Sequence, residues 1–232
     1  MARISDVAAT TNADVWVVIP LYNEATVIAT VITELRENFP HVVCVDDGST
    51  DASASVAENA GARVLRHPTN LGQGAALQTG IEYARERAET TFLVTFDADG
   101  QHRIEDALAM LQRARDEDLG IVFGSRFLDD RTQIGWLKRL VLRTAAWVTN
   151  RTTHLRLTDA HNGLRVIRVD AARGVNMQQD RMAHATEVVA EISRHDLRYA
   201  EYPVHILYTD YSRSKGQSVW NSVNILSDLF VK

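Results

Sequence analysis

The sequence predicts an α/β fold, a single domain built on a mostly parallel, twisted sheet with helices on both faces. Three observations lead there. Five short apolar runs between Val15 and Phe123 alternate with segments that carry apolar residues at helical spacing. The runs are apolar almost throughout, as expected of strands covered on both sides. No internal repeat, low-complexity stretch or Pro/Gly-rich linker divides the chain.

The elements follow in order. Residues 1–13 are polar and rich in small side chains, the composition of a loose tail. Val15-Trp16-Val17-Val18-Ile19 forms a first strand, and Val27, Ile28, Val31, Ile32 and Leu35 stripe the helix behind it. Val42 to Val45 is a second strand, followed by a helix from about Ala52 to Ala60. Arg63-Val64-Leu65 is a short third strand, and Ala76, Leu77, Ile81 and Ala84 mark the next helix. Phe92 to Phe96 is the fourth strand, backed by a helix through Ala107, Leu111 and Ala114, and Gly120 to Phe123 is the fifth. The second half is less regular. Trp136 to Val148 is helical, Leu164 to Ile167 a strand, Ala183 to Ser193 a helix and Tyr199 to Leu207 a strand. The principal domain therefore spans 14–218, and 219–232 is an amphipathic C-terminal helix.

Bulk properties exclude several classes. With 45% hydrophobic and 24% charged residues the chain can bury an ordinary globular core. A net charge of -5 gives no general attraction to nucleic acid, so no nucleic-acid partner is expected. No apolar run approaches the length of a membrane span, and the N-terminus lacks the basic start and apolar core of a signal peptide. Cys44, the only cysteine, lies in an apolar run, which predicts a buried, inert thiol.

Chemistry concentrates in the loops that follow the strands. In open α/β sheets ligands bind beyond the carboxyl ends of the strands. Pro20-Leu21-Tyr22-Asn23-Glu24 follows the first strand and Asp46-Asp47-Gly48-Ser49-Thr50-Asp51 the second. His67 to Gly74, with Gly72 and Gly74, follows the third, Asp97-Ala98-Asp99-Gly100-Gln101-His102 the fourth, and Gly124-Ser125-Arg126 the fifth. Asp97 and Asp99 are two residues apart, so an extended backbone presents both carboxylates to one side. Hard divalent cations take such oxygens together with substrate phosphates, so this spacing points to a metal–diphosphate site. Asp51 or Ser49 also suits the start of a helix, and Glu24 a first-turn carboxylate. Arg126 has a guanidinium shaped for phosphate, and Arg139, Arg143, Arg213 and Lys215 extend the basic set. Neither a Gly-x-Gly-x-x-Gly fingerprint nor a Gly-Lys-Ser/Thr phosphate loop is present, which argues against a dehydrogenase or a P-loop enzyme.

Taken together these blocks resemble the family 2 glycosyltransferases, and within them the synthases that build polyprenyl-phosphate (dolichyl-phosphate-type) sugars. The resemblance runs from about Val15 to Ser218. Pro20 to Glu24 is similar to the family's Pro-x-Tyr-Asn-Glu, Asp46 to Asp51 to its Asp-Asp-Gly-Ser-x-Asp, and Asn70 to Gly74 to its Asn-x-Gly-x-Gly. Asp97 to His102 resembles the metal motif, and Gly124-Ser125-Arg126-Phe127 the next block. The resemblance implies a GT-A fold with a Rossmann-like nucleotide-binding half. It implies that Pro20, Tyr22, Glu24, Asp47, Gly72 and Gly74 bind the nucleotide-sugar, with Asp97 on its sugar side. It assigns Mg²⁺ or Mn²⁺ to Asp99 and Gln101, and donor or acceptor phosphates to Arg126, Arg139, Arg213 and Lys215. Asp159 corresponds to the Asp of the family's Asp-x-x-Ser-Gly-Phe, although here the block reads Asp159-Ala160-His161-Asn162-Gly163-Leu164-Arg165. The catalytic set implied is Asp97, Asp99, Arg126 and Asp159.

The activity so implied is inverting transfer of a hexose from a UDP- or GDP-sugar to a polyprenyl phosphate. It would occur on the cytoplasmic face of a membrane, with the protein peripheral to it. The apolar and basic helix at Trp136 to Val148 suits an interface as well as a core. The terminal helix, with Trp220, Val223, Leu226 and Phe230, suits docking to a small membrane-embedded partner protein. Two alternatives remain at this level. One is a same-fold enzyme with a soluble saccharide or protein acceptor; the other is a non-catalytic nucleotide-sugar-binding subunit.

Overall fold

The computed structural model describes residues 12–129, 136–153, 155–172 and 197–207. Its strands are β1 (Val15–Leu21), β2 (His41–Asp46), β3 (Arg63–Arg66), β4 (Phe92–Thr95), β5 (Ile121–Ser125), β6 (Arg165–Arg168) and β7 (Tyr199–Pro203). Its helices are α1 (Ile28–Arg36), α2 (Ser53–Asn59), α3 (Gln73–Arg85), α4 (Ile104–Asp116), α5 (Trp136–Thr153) and the short α6 (Val169–Ala172). All seven strands join one sheet in the order β3-β2-β1-β4-β6-β5-β7. The β3, β2, β1 and β4 pairings are parallel, as is β5 with β7. Among the described strands only β6 runs the other way, antiparallel to both β4 and β5.

The core is divided by the sheet, as side-chain alternation along a strand requires. Val15, Val17 and Ile19 face one layer, where they pack with Ile28, Ile32 and Leu35 of α1 and Ala107, Met110 and Leu111 of α4. Val18, Val43, Leu93 and Ile121 face the other, with Leu77 and Ile81 of α3 and Ala146 of α5. Helices on both faces explain why β1 and β4 are almost wholly apolar. Gly80 in α3 is required by this closeness, since a Cβ there would lie 2.4 Å from Val18 Cγ1.

The expected elements of the first half all form. β5 runs two residues further than expected, so Gly124 and Ser125 belong to the strand. The last strand is shorter than the expected Tyr199 to Leu207. It ends at Pro203, and the chain then crosses so that the Leu207 N–H donates to the Gln101 carbonyl at 2.9 Å. α5 continues to Thr153. Asn12, within the expected tail, is buried and donates its Nδ2 to the Asn38 carbonyl at 3.0 Å. The helix expected at 183–193, the basic loop with Arg213 and Lys215, and the helix at 219–232 lie outside the described residues.

The reversal of β6 has the consequence that matters most for function. Its entry end, preceded by residues 159–164, arrives at the same edge where the other strands finish. That is how a block so distant in sequence reaches the loops after β4 and β5.

Candidate active site

The loops after β1 and β2 are stitched to one another. Asn23 adopts the left-handed conformation (φ 54), and its Oδ1 accepts the Thr50 N–H at 2.9 Å while its own N–H donates to Ser49 Oγ at 3.0 Å. The Glu24 N–H donates to Ser53 Oγ at 2.7 Å. Asp51 accepts from the Ala25 N–H and, at 2.9 Å, from the Ser53 N–H. Asn23, Ser49 and Asp51 therefore brace two loops, and Asp51 also satisfies a donor at the start of α2.

Asp47 organises the third loop. It is almost fully buried. Its carboxylate accepts the Leu71 N–H at 2.9 Å and the Gly72 N–H at 2.8 Å, and His67 Nδ1 lies 2.7 Å away. His67 is held in turn by Thr79 Oγ1 at 3.0 Å from Nε2. Gly72 has φ 95, which L side chains avoid, so the turn into α3 needs glycine. Gly48 is equally constrained, since a Cβ there would meet Asn70 N at 2.8 Å.

A cavity of about 390 Å³ opens between these loops, lined by Pro20, Tyr22, Glu24, Asp47, Asn70, Gly72, Gln73, Asp97 and Asp99. Asp99 is one of the carboxyls that line it. Burial, with the negative charges of Asp97 and Glu24 adding to it, pushes its pKa up to about 6, while His102 and the Gln101 N–H pull the other way. Asp97 is fixed by His102 Nε2 at 2.8 Å from Oδ2 and by Gln73 Nε2 at 3.3 Å from Oδ1. It rests directly on Gly163, where a Cβ would lie 2.3 Å from Oδ2.

No group of three or more His, Cys, Asp or Glu side chains that could hold a metal occurs among the described residues. Two crowded carboxylates facing an open cavity nevertheless fit a hard divalent ion that completes its coordination with substrate phosphates and water. A cation there would offset the negative charge of Asp97, which adds to the burial that raises Asp99. Gln101 is buried and does not line the cavity; its backbone N–H donates to Asp99 Oδ1 at 3.1 Å.

Arg126, Asp159, Gly74 and Arg139 are not among the residues that line this cavity. Arg126 Nε and Nη2 donate to Asp159 Oδ2 and Oδ1 at 2.6 and 2.8 Å, a two-point ion pair. Burial raises Asp159, but the Arg126 charge and its hydrogen bonds outweigh that and hold the carboxyl below its usual range. Glu201 on β7 supports the turn, accepting from the Thr158 and Asp159 N–H groups at 2.8 and 3.1 Å. Gly74 is buried in the first turn of α3. Arg139 is exposed on α5, with its guanidinium carbon 5.9 Å from the Phe127 ring centre. Cys44 is fully buried, and burial pushes its thiol far up, as befits an inert core residue.

Sequence patterns did not single out His67, Glu201 or Arg165. His67 stood within a quoted loop, but nothing in its spacing linked it to Asp47. Arg165 is 2% exposed, deep in a central strand where an arginine is unusual.

The open, mostly parallel α/β sheet carries an acidic pair and a glycine turn at its carboxyl edge, where ligands of such sheets bind. Comparison with known proteins gives the family: residues 16–175 match the model of Glycosyl transferase family 2, and the chain belongs to that family. It is 33% identical over 228 residues to an uncharacterized protein of Methanocaldococcus jannaschii, covering 94% of this chain and 92% of that one. It is 26% identical to the UDP-N-acetylglucosamine–dolichyl-phosphate N-acetylglucosaminyltransferase of Methanococcus voltae, covering 88% and 90%. It is 28% identical to the undecaprenyl-phosphate mannosyltransferase of Micrococcus luteus, covering 85% of each chain. Among solved structures, glucosyl-3-phosphoglycerate synthase from Mycobacterium tuberculosis, in complex with Mn²⁺, UDP and glucosyl-3-phosphoglycerate, superposes with a TM-score of 0.67. That likeness covers 97% of this chain and 82% of that one at 17% identity, and establishes the shared GT-A fold. The protein is thus a glycosyltransferase.

Proposed function

We propose that this enzyme moves a hexose, with inversion, from a nucleoside-diphosphate sugar to a polyprenyl phosphate at a membrane surface, assisted by Mg²⁺ or Mn²⁺. One observation carries the reading. A single cavity brings the Asp97–Asp99 pair opposite the Gly72 turn that Asp47 holds in place. Relatives that cover most of their own length with this chain are named for dolichyl and undecaprenyl phosphates, which supports the acceptor class.

The residues then divide the work. Pro20, Tyr22, Glu24 and the Gly72 turn hold the nucleoside and its ribose, and Asp97 orients the sugar. Asp99 is the carboxylate that would hold the cation, with Asp97 beside it; a bound cation neutralises charge on the departing diphosphate. A phosphate acceptor is already anionic near neutral pH, so no strong base is needed, and catalysis rests on position and electrostatics. Arg126, fixed by Asp159, supplies positive charge at the acceptor side. Arg139 stands near Phe127, the residue after Arg126.

Access to a lipid acceptor is supported by α5. Val141, Leu142, Ala145 and Ala146 face the core, whereas Trp136, Leu140 and Trp147 stand 78%, 58% and 61% exposed. These three recur at helical spacing, and exposed Arg139, Arg143 and Arg151 flank them. An aromatic and basic stripe of this kind settles at a lipid headgroup boundary. Among the described residues no helix is long and apolar enough to cross a membrane.

The test is turnover with radiolabelled UDP- and GDP-sugars, a short polyprenyl phosphate and Mg²⁺ or Mn²⁺. Label should pass into the organic phase with one donor and only with added metal. Label that stays in water while a soluble saccharide or protein becomes glycosylated would replace the lipid acceptor with a soluble one.

A further inference from the structure

We propose that Arg165 is a positioning residue for the transfer reaction, a buried counter-charge shared by Asp97 and Asp159 that joins the donor and acceptor halves of the site. The inference rests on the glycosyl-transfer reading above and deepens it.

The strand that carries Arg165 is the one reversed strand of the sheet. Arg165 is in register with Thr95 on β4, two residues before Asp97, and with Phe123 on β5, three residues before Arg126. It therefore sits in the sheet between the strand that delivers the acidic pair and the strand that delivers the Arg126–Asp159 pair. The backbone leading into it supports Asp97 from below. Gly163 packs against the Asp97 carboxylate, and its carbonyl accepts the Thr95 hydroxyl at 2.6 Å.

A guanidinium is costly to bury without compensation. Here burial pulls the Arg165 pKa down to about 10, and the opposing attraction comes from two groups, Asp97 and Asp159. Its Nε finds no hydrogen-bond partner among the described residues. A side chain placed for packing alone would not be arginine at this depth. What the charge accomplishes is specific to a site crowded with carboxylates: it offsets the negative charge of Asp97 and Asp159. It also weakens the pull of the acidic pair on a bare cation, so that the ion is held firmly only together with the donor diphosphate.

Two variants separate charge from shape. Arg165→Met removes both. It should take up Mn²⁺ alone about fivefold more tightly than wild type, because a nearby positive charge has gone, and its turnover should fall about 30-fold or more. Arg165→Lys keeps the charge but replaces the broad, weakly hydrated guanidinium with a compact, strongly hydrated ammonium of shorter reach. Its Mn²⁺ affinity should stay within about twofold of wild type, and its turnover should still fall about tenfold. Mn²⁺ uptake is read by electron paramagnetic resonance without nucleotide, and turnover by transfer to a short polyprenyl phosphate. A purely structural role would lower Mn²⁺ uptake and turnover together in both variants. Unchanged or weaker Mn²⁺ binding in Arg165→Met overturns the charge role, and full turnover in Arg165→Lys overturns the joining role. Should Arg165→Met fail to fold, the lysine variant decides alone. Wild type that binds Mn²⁺ but makes no lipid product would refute the acceptor reading, and Mn²⁺ uptake would still judge Arg165.

Discussion

Arg126 and Asp159 meet through two parallel charge-assisted hydrogen bonds of 2.6 and 2.8 Å, with the Asp159 side chain only 1% exposed. The cation expected to greet a phosphate is thus first a partner to a buried carboxylate. Two-point geometry fixes the guanidinium plane, which a lysine could not do.

This pair makes stability pH-dependent in a defined sense. The Asp159 carboxyl lies below its usual range when folded, so the pair contributes fully above the ordinary carboxylate value of about 4. The contribution is lost as pH falls through the lowered folded value. Asp159→Asn should cost about 3 kcal/mol at pH 7, the usual size for breaking a buried pair. In urea titrations the gap between wild type and variant should narrow toward pH 3, whereas a gap that is constant with pH would assign the loss to packing.

Asp47 predicts a different signature. Its carboxylate shapes the Gly72 turn through two backbone N–H groups, and hydrogen bonds to a charged group contribute about 1.5–3 kcal/mol each. Asp47→Ala should therefore raise the donor KM, by roughly tenfold to a hundredfold, more than it lowers kcat. Steady-state kinetics with nucleotide binding by calorimetry checks this. A loss confined to kcat would move Asp47 out of donor binding.

Asp99 should couple metal binding to pH. With its pKa at about 6 in the metal-free protein, a proton competes with the cation below that value. Mn²⁺ affinity should rise with pH through about 6, by close to tenfold per unit on the acid side, and level off above. Asp99→Asn should bind weakly at all pH values and lose most turnover. Fluorescence or resonance titration at pH 5 and 7.5 distinguishes the two proteins.

The parallel half was legible because each of its strands is local and apolar, and each loop announces itself at a strand end. That is why Tyr22, Glu24, Asp47, Gly72, Asp97 and Asp99 converge as expected on one cavity. The reversed strand was not legible. Leu164 to Ile167 reads as a strand from its composition, but nothing local states that it inserts between β4 and β5, running backward. Arg165 was overlooked for the same reason, since its burial follows from the pairing of the strand and not from its own short run. His67 and Glu201 act through contacts 20 and 42 residues away in sequence, which no periodicity encodes.

The exposed face of α5 yields the last prediction. Sequence periodicity could assign its apolar residues to a core or to an interface, and the structure divides them between the two. Val141, Leu142 and Ala145 are buried, while Trp136, Leu140 and Trp147 are not. Arg151 lies with its guanidinium carbon 5.7 Å from the Trp147 ring centre, which leaves a cation and an indole side by side at the surface. Arg139 lies with its guanidinium carbon 5.9 Å from the ring centre of Phe127, the residue after Arg126, so the stripe begins near the side of the site proposed for the acceptor. A helix docked by this face would bring that side to the headgroups, where a polyprenyl phosphate presents its anion. Trp136→Ala combined with Trp147→Ala should reduce co-flotation with anionic liposomes by about tenfold or more, since two interfacial aromatic side chains are lost. Nucleotide affinity in the same protein should be unchanged, because neither residue lines the cavity. Transfer to a lipid acceptor in vesicles should fall in step with flotation, and transfer to a short acceptor in detergent should not. Equal loss in both assays would tie the tryptophans to folding of the site, and undiminished flotation would remove α5 from the membrane contact.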